Sequence, residues 1–228
     1  GVVKSRTRPI PGNHDWGTGV VNNLTGYFGY YGANATDANG KSYYSYDIAG
    51  SNWHVVNLDS ECALVTGGCA DGSPQENWLQ ADLAANSSKN VIALFHKPRF
   101  SSGSTNLVDM QPFVNDLYAA GADLVLVGHD HLYERFAPLN ASGTPDATYG
   151  IRYFTVGMGG ASHHSFGTTK IGSEVREANT YGILKLTLHA TSYDWKFLPI
   201  AGSTFTDSGS GTVHGSPLEC FALTLSAT

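Results

Sequence analysis

Histidine follows two apolar runs of this sequence and recurs in a tetrapeptide near its beginning. His96 ends one run, His129 and His131 follow the other on either side of Asp130, and Gly-Asn-His-Asp occupies positions 12–15. Histidine nitrogens suit Zn, Fe or Mn, so these residue types indicate metal binding. A single histidine is more often a core or surface residue than a ligand. The hypothesis therefore depends on a fold that brings these stretches together.

The two apolar runs predict buried strands of a parallel sheet. Val91 to Phe95 and Leu124 to Val127 are wholly apolar, which is typical of strands that are covered on both faces. Between them, apolar residues at helical spacing from Met110 to Tyr118 predict a helix that is capped by Asp109 and ended by Gly121. Such a β-α-β unit gathers the carboxyl ends of its strands in one crevice, where ligands bind in open α/β sheets.

The rest of the chain predicts a single α/β domain with two packed sheets and helices on the outer faces. The further predicted strands are 42–48, 53–58, 151–156, 182–188, 193–198 and 221–225. A capping box with proline at the first helical position predicts a helix over 73–85. Two segments, 16–40 and 202–217, show no period that we assign to a helix or strand, and both are predicted to be long loops.

Composition excludes some classes of protein. The 228 residues are 41% hydrophobic and only 14% charged, and the net charge of -6 gives no electrostatic footprint for nucleic acid or an anionic membrane. No apolar run approaches the roughly 20 residues of a membrane span. The 27 glycines and 12 tyrosines are typical of a β-rich, loop-rich secreted protein.

The cysteines provide information about the cellular compartment of the protein. Cys62 and Cys69 flank a turn-prone Val-Thr-Gly-Gly stretch, which predicts a local disulfide; the alternative is two reduced thiols in a cytosolic protein. Cys220 lies in a strand-like run and is predicted to be a small buried hydrophobic residue. A disulfide would favour a secreted or periplasmic location.

Three motifs together resemble the calcineurin-like metallophosphoesterases, in the purple acid phosphatase-like branch. Gly-Asn-His-Asp at 12–15, Ala-Leu-Phe-His-Lys-Pro at 93–98 and Gly-His-Asp-His-Leu-Tyr-Glu-Arg at 128–135 are similar, in order and spacing, to the third, fourth and fifth motifs of that family. The resemblance implies a four-layer α/β/β/α sandwich, in which two mixed sheets are flanked by helices. It also implies metal-dependent hydrolysis of phosphate monoesters or diesters.

The same resemblance assigns roles to individual residues. It implies two divalent or trivalent ions, Fe, Zn or Mn, that activate water and clamp the phosphate ester. The implied ligands are Asn13, His96 and His129 for one ion and His131 for the other. His14 resembles the general acid beside the scissile phosphate, and Asp15 is expected to orient it.

The sequence departs from the family pattern in two places. The first two motifs, which supply two aspartates, would lie upstream of Gly1, so residues 1–228 are expected to form a catalytic domain that lacks its first βαβ portion. In addition, Ser101 to Asn106 stands where plant-type members carry two histidines. The chain is therefore expected to carry about half of a dinuclear site and to have its own upstream segment as a partner, besides the phosphate-ester substrate.

Two alternatives stay open at this point. One is a non-catalytic binding or structural protein on a phosphatase scaffold, and the other is a fragment that a separate N-terminal chain completes. Among weaker candidates, His163 and His164 either rim the pocket or belong to a solvated loop. Tyr133, Glu134 and Arg135 are predicted to support the ligand strand from behind.

Overall fold

The computed structural model describes residues 3–17 and 23–217. Within these ranges the helices are α1 (Asn13–Trp16), α2 (Thr25–Tyr31), α3 (Pro74–Ala85) and α4 (Gln111–Ala119). The strands are β1 (Tyr44–Asp47), β2 (Trp53–Asn57), β3 (Asn90–Phe95), β4 (Leu124–Val127), β5 (Tyr133–Leu139), β6 (Ile151–Val156), β7 (Ser173–Glu177), β8 (Gly182–Leu188), β9 (Ser192–Pro199) and β10 (Ser208–Thr212). Short 3-10 turns span Lys4–Arg6, Gly32–Asn34 and Val108–Met110.

Two sheets organise the molecule. Seven strands form a mixed sheet in the order β1-β2-β3-β4-β6-β5-β7, and an antiparallel sheet has the order β10-β9-β8. The central strands β2, β3, β4 and β6 are parallel, so their carboxyl ends lie along one edge of the large sheet. The predicted β3-α4-β4 unit is confirmed, with β3 and β4 as parallel neighbours.

The layers follow from where the apolar faces meet. On one face of the large sheet, Leu79 and Leu83 of α3 and Phe113 of α4 join the core. On the other face, Trp195 and Phe197 of β9 belong to a second core cluster with residues of the large sheet. The mixed α/β fold with two sheets is confirmed. The described residues form three layers: the helices α3 and α4, the large sheet and the small sheet. The outward side chains of the small sheet are exposed, and no described helix covers them.

Helix α3 begins where the sequence predicts. The Ser73 hydroxyl accepts a hydrogen bond from the Glu76 N–H at 3.3 Å, and Pro74 occupies the first turn, where its missing N–H costs nothing. Helix α4 begins at Gln111, one residue later than the Asp109 cap predicts. The reason is the 3-10 turn over Val108–Met110, which continues directly into the helix without a side-chain cap.

The prediction of a loop throughout 16–40 is wrong where the chain is described. Residues 25–31 form α2, although Gly26 and Gly29 each disfavour a helix by about 1 kcal/mol. Tertiary contacts offset that cost. Tyr27 is buried in a small aromatic cluster, and its hydroxyl donates to the carbonyl of Pro9 at 2.8 Å.

The predicted loop at 202–217 contains β10, and sequence analysis also missed β5 and β7. The β10 sequence, Ser-Gly-Ser-Gly-Thr, has no strand propensity of its own. A side chain at Gly209 would lie 2.4 Å from the Trp195 ring, and one at Gly211 would lie 2.4 Å from the Tyr193 ring. These glycines let the rings of β9 lie against β10. The predicted strand 221–225 and Cys220 lie outside the described residues.

Cys62 and Cys69 are joined in a disulfide. By the loop-entropy estimate, closing so short a loop stabilises the fold by about 2 to 3 kcal/mol. The bridge closes the segment between β2 and α3, next to the carboxyl edge of the large sheet. Within residues 3–17 and 23–217, no helix has the length and apolar character that a membrane crossing requires.

A buried histidine joins β1, β2 and α3 at the opposite end of the strands. His54 at the start of β2 contacts Asp47 of β1 through Nδ1 and Asp82 of α3 through Nε2, both at 2.8 Å. Burial alone lowers the pKa of His54, but the hydrogen bonds to Asp82 and Asp47 outweigh burial and raise that pKa above its ordinary 6.5. The charged imidazolium therefore stabilises the folded chain.

We expect this contribution to depend on pH. Because the folded pKa of His54 is raised, its stabilisation is fully present below the unfolded pKa of 6.5 and is lost as the pH rises through the folded pKa. The difference in free energy of unfolding between wild type and His54→Gln should shrink as the pH rises from 5.5 to 9, as measured by urea denaturation. A difference that stays constant over this range would contradict the ionic role of His54.

Candidate metal centre

The register of two parallel strands brings two of the predicted site residues to one level. Phe95 of β3 is paired with Val127 of β4, and the Gly128 N–H continues the ladder by donating to the His96 carbonyl at 3.0 Å. His96 and His129 therefore leave the sheet side by side. This is the crevice at the carboxyl ends of the parallel strands that the apolar runs predict.

Three potential ligand atoms meet at this point. The Asn13 Oδ1 atom lies 2.8 Å from His96 Nε2 and 3.2 Å from His129 Nδ1, and the two histidine nitrogens are 3.1 Å apart. The imidazole rings stand nearly perpendicular, at 85°. Atoms that bind one ion at about 2.0 to 2.2 Å have this mutual spacing. One amide oxygen and two imidazole nitrogens thus fit a shared metal ion.

The backbone at His129 is unusual. Among the described residues other than glycine, only His129 has a positive φ, at 62°. A compact turn holds it there, because the Asp130 N–H donates to the Gly128 carbonyl at 2.8 Å and the Leu132 N–H donates to the Asp130 carbonyl at 2.8 Å. Left-handed backbone at a non-glycine residue costs about 1 to 3 kcal/mol and is concentrated at functional sites. Here it aims the ring at Asn13.

Helix α1 presents Asn13 and His14. The Asp15 carboxylate accepts a hydrogen bond from the Gly12 N–H at 2.9 Å and so closes the single helical turn. The predicted contact between Asp15 and His14 is absent from the hydrogen bonds of the described residues. His14 is exposed one residue beyond Asn13, and its role as general acid stays a prediction.

Burial keeps the two clustered histidines neutral. It is the largest cause that lowers the pKa of His96, to about 4, and the positive charges of neighbouring His129 and Lys97 act in the same direction. Burial also lowers the pKa of His129. Neutral imidazole is the form that binds a metal. The cluster is therefore ready to bind a cation at neutral pH.

His131 lies beside this cluster and has its own set of contacts. Its Nδ1–H donates to the Ser162 carbonyl at 2.6 Å, and its ring stacks on His164 with centroids 4.0 Å apart. The structure records no hydrogen bond between His131 and the other three predicted ligands. Its assignment to a second ion stays a prediction.

Sequence analysis missed the role of Asp130 between the two histidines. Asp130 is fully buried and accepts hydrogen bonds from the hydroxyls of Ser101 at 2.6 Å and Ser104 at 2.9 Å, and from the Thr105 N–H at 3.2 Å. The serine-rich loop after β3 is thus wrapped around the carboxylate that anchors the His129 turn. The only sequence signal was the concentration of hydroxyls in Ser101 to Asn106.

Residues after the His-Asp-His turn form hydrogen bonds with neighbouring segments, and their role in supporting the site stays a prediction. The Glu134 carboxylate accepts from the Ser102 N–H at 2.7 Å and from the Ser173 hydroxyl at 2.6 Å. Tyr133 donates to Asp207 at 2.7 Å. These contacts fix the strand that follows the metal-site turn against its neighbours.

The candidate site contains no carboxylate ligand. Within the described ranges, no three or more His, Cys, Asp or Glu side chains are grouped so that they alone hold a metal ion. Of the carboxylates that follow β2, Glu61 pairs with Lys97 at 2.7 Å through Oε2, and Asp59 accepts from Ser42 at 2.6 Å. The Asn13 amide is therefore the third ligand group, and all three groups are neutral.

The close contact between Gly12 and His96 yields a prediction. A Cβ at position 12 would lie 2.9 Å from His96 ring atoms, so Gly12→Ala should push the ring off Asn13. We expect metal affinity, measured by calorimetric titration with Zn²⁺ or Mn²⁺, to fall by about 10- to 100-fold. Gly26→Ala is the matched control, because a Cβ there meets nothing within 4 Å. Unchanged affinity in Gly12→Ala would contradict the proposed geometry.

Comparison with known proteins finds similar sequences among phosphatases. Purple acid phosphatase 18 of Arabidopsis thaliana is 33% identical over 136 residues, which are 54% of this chain and 28% of that protein. An acid phosphatase of Aspergillus ficuum is 35% identical over 159 residues, which are 59% of this chain and 26% of that protein. The chain thus spans about a quarter of the length of these curated relatives.

A solved structure shows the same fold. The purple acid phosphatase from yellow lupin (Lupinus luteus) seeds superposes with a TM-score of 0.65 at 17% identity, over 94% of this chain and 40% of that one. The family model described as Calcineurin-like phosphoesterase matches residues 3–133, which contain every clustered site residue. The chain belongs to the calcineurin-like phosphoesterase family.

Proposed function

We propose that this chain forms the histidine-bearing part of a metal-dependent site that hydrolyses phosphate esters. The observation that carries the proposal is the convergence of Asn13 Oδ1, His96 Nε2 and His129 Nδ1 within 3.2 Å. Three ligand groups from separate stretches rarely meet by chance, and burial maintains both histidines in the neutral form that binds a metal. Family membership supports a phosphoesterase hydrolase in general.

Each residue then has a task. Asn13, His96 and His129 hold one ion, and His131 holds the second through its free Nε2. The ions supply an activated water and neutralise the attacking and leaving oxygens of an in-line displacement. His14, exposed next to Asn13, donates a proton or a hydrogen bond to the leaving oxygen. Asp15 acts on His14 only through the shape of the α1 turn.

The lack of negative charge among these ligands limits how tightly they hold two metal ions. Two dications repel each other, and the neutral ligands of this site offer nothing to offset that repulsion. The pKa of Asp59 is raised to about 6 by burial, and its hydrogen bonds to Ser42 and Trp16 hold it away from the cluster. We therefore assign the bridging carboxylates to a segment outside residues 1–228. Without them, the second ion is lost first.

The alternative is a non-catalytic binding or structural role on the same scaffold. The observation that favours it is the absence of an acidic ligand from the described part of the site. We also propose a secreted or periplasmic location, and the support is the Cys62–Cys69 disulfide, since such bridges persist in oxidising compartments. The phosphate-ester substrate is part of the same proposal.

Metal binding is the first test. We expect the wild-type chain to bind Mn²⁺ or Zn²⁺ in calorimetric titration and His129→Ala to bind it at least about 100-fold more weakly, because one of three ligands is lost. His189→Ala is the matched control, since His189 contacts only the exposed Asp194 through its ring. Equal affinity in all three proteins would show that the site lies elsewhere.

Turnover is the second test. On p-nitrophenyl phosphate with Mn, Zn or Fe supplied, we expect the 228 residues to be at least about a thousandfold less active than the chain joined to a segment with two aspartate motifs. His129→Ala should abolish the activity of the joined protein. Turnover by the bare chain near the usual ~10 s⁻¹ would contradict the carboxylate assignment. Metal binding without turnover in the joined protein would favour the non-catalytic alternative.

A further inference from the structure

His164 lies in the loop after β6, outside the three motifs that define the metal centre. Its backbone N–H donates to the His131 carbonyl at 3.0 Å, and its ring stacks on the His131 ring at 4.0 Å with 25° between the planes. The loop is therefore attached directly to a predicted metal ligand. No role for His164 follows from the motifs. The hydrogen bonds of its ring nitrogens determine what it is able to bind.

The partners of His131 determine its tautomer. A carbonyl oxygen only accepts hydrogen bonds, so the contact of 2.6 Å to Ser162 requires the proton of His131 on Nδ1. The lone pair of His131 is then on Nε2. A histidine that donates one nitrogen to a backbone carbonyl and offers the other is the common arrangement of a metal-binding imidazole. Ser162 thus prepares His131 as a ligand.

The tautomer of His164 is determined in the opposite sense. The backbone N–H of His131 donates to Nδ1 of His164 at 3.2 Å, so that nitrogen carries a lone pair. Neutral imidazole has one proton, which must then lie on Nε2. The stacked pair therefore offers an acceptor nitrogen on His131 and a donor N–H on His164.

We propose that His164 Nε2–H binds a non-bridging oxygen of the phosphate group next to His131. The inference rests on the proposed function, because it places the phosphate beside the ion that His131 holds. A donor next to a metal ligand suits a phosphate, whose oxygens are strong acceptors and carry negative charge. In this proposal His164, which lies outside the recognised motifs, takes part in binding the phosphate.

The neighbouring histidine has a different environment. His163 stacks on Tyr181, the residue before β8, with centroids 4.1 Å apart, and not on His131. A comparison of variants of these two adjacent histidines therefore distinguishes a general effect of the loop from a specific effect of the His164 ring. His163→Ala is the matched control for His164.

The tautomers are tested first, on the metal-free chain. Nitrogen chemical shifts of ¹⁵N-labelled imidazoles should report His131 as the Nδ1–H form and His164 as the Nε2–H form at neutral pH. This result does not depend on metal or activity. An Nδ1–H form of His164 would overturn the inference while leaving the proposed function intact.

Phosphate binding is tested next, with inorganic phosphate and with the chain joined to a segment with two aspartate motifs and loaded with Zn²⁺ or Mn²⁺, because the ion beside His131 needs those carboxylates. His164→Asn keeps an acceptor near Nδ1 but loses the donor, and should weaken phosphate binding by about 10- to 100-fold with metal affinity unchanged. His164→Gln places an amide N–H near Nε2 and should restore much of the binding. His163→Ala should bind phosphate as the wild type does.

The outcomes separate the two proposals. A wild-type chain that binds no metal overturns the proposed function. A chain that binds metal normally, but whose phosphate affinity is absent or is the same in wild type and His164→Asn, overturns the role of His164. Equal loss in His164→Asn, His164→Gln and His163→Ala also overturns it, because the effect then belongs to the loop as a whole.

Discussion

The parallel pairing of β3 with β4 is the interaction on which the site depends. The hydrogen bond from the Gly128 N–H to the His96 carbonyl continues the ladder by one step beyond the strands and sets both histidines at one height. A shift of one residue in this register would turn one ring to the other face of the sheet. The observed pairing runs from Ile92–Leu124 to Phe95–Val127, directly before the two histidines.

Next to this pairing, the buried Asp130 carboxylate and the serine-rich loop support the turn after β4. Asp130 is enclosed by Ser101, Ser104 and Thr105, and its backbone closes the turn that holds His129 in a left-handed conformation. A buried carboxylate is tolerated only when several donors satisfy it. These hydrogen bonds therefore couple the serine-rich loop to the aim of His129, and disorder in that loop would loosen the metal centre.

The three clustered groups of the candidate metal centre, from Asn13, His96 and His129, carry no net charge. The clustered groups are neutral, which allows them to sit within 3.2 Å of each other in the folded chain without a cation. Acidic ligands at the same place would repel each other and destabilise the fold until an ion bound. The clustered groups therefore add no charge repulsion to the folded chain, and in the proposed function the charge that holds two ions comes from other residues.

By itself, the sequence determined the β3-α4-β4 unit, the α3 helix and the family. Each of these depends on local pattern: apolar runs, capping residues and short motifs at fixed spacing. Only the tertiary structure decided that α2 forms despite its glycines, that β10 pairs with β9, that Asp130 anchors the turn of His129, and that the His164 ring stacks on the His131 ring. Those features depend on contacts between residues far apart in the chain, such as Tyr27 with Pro9, Trp195 with Gly209 and His131 with His164, and local pattern carries no information about such contacts.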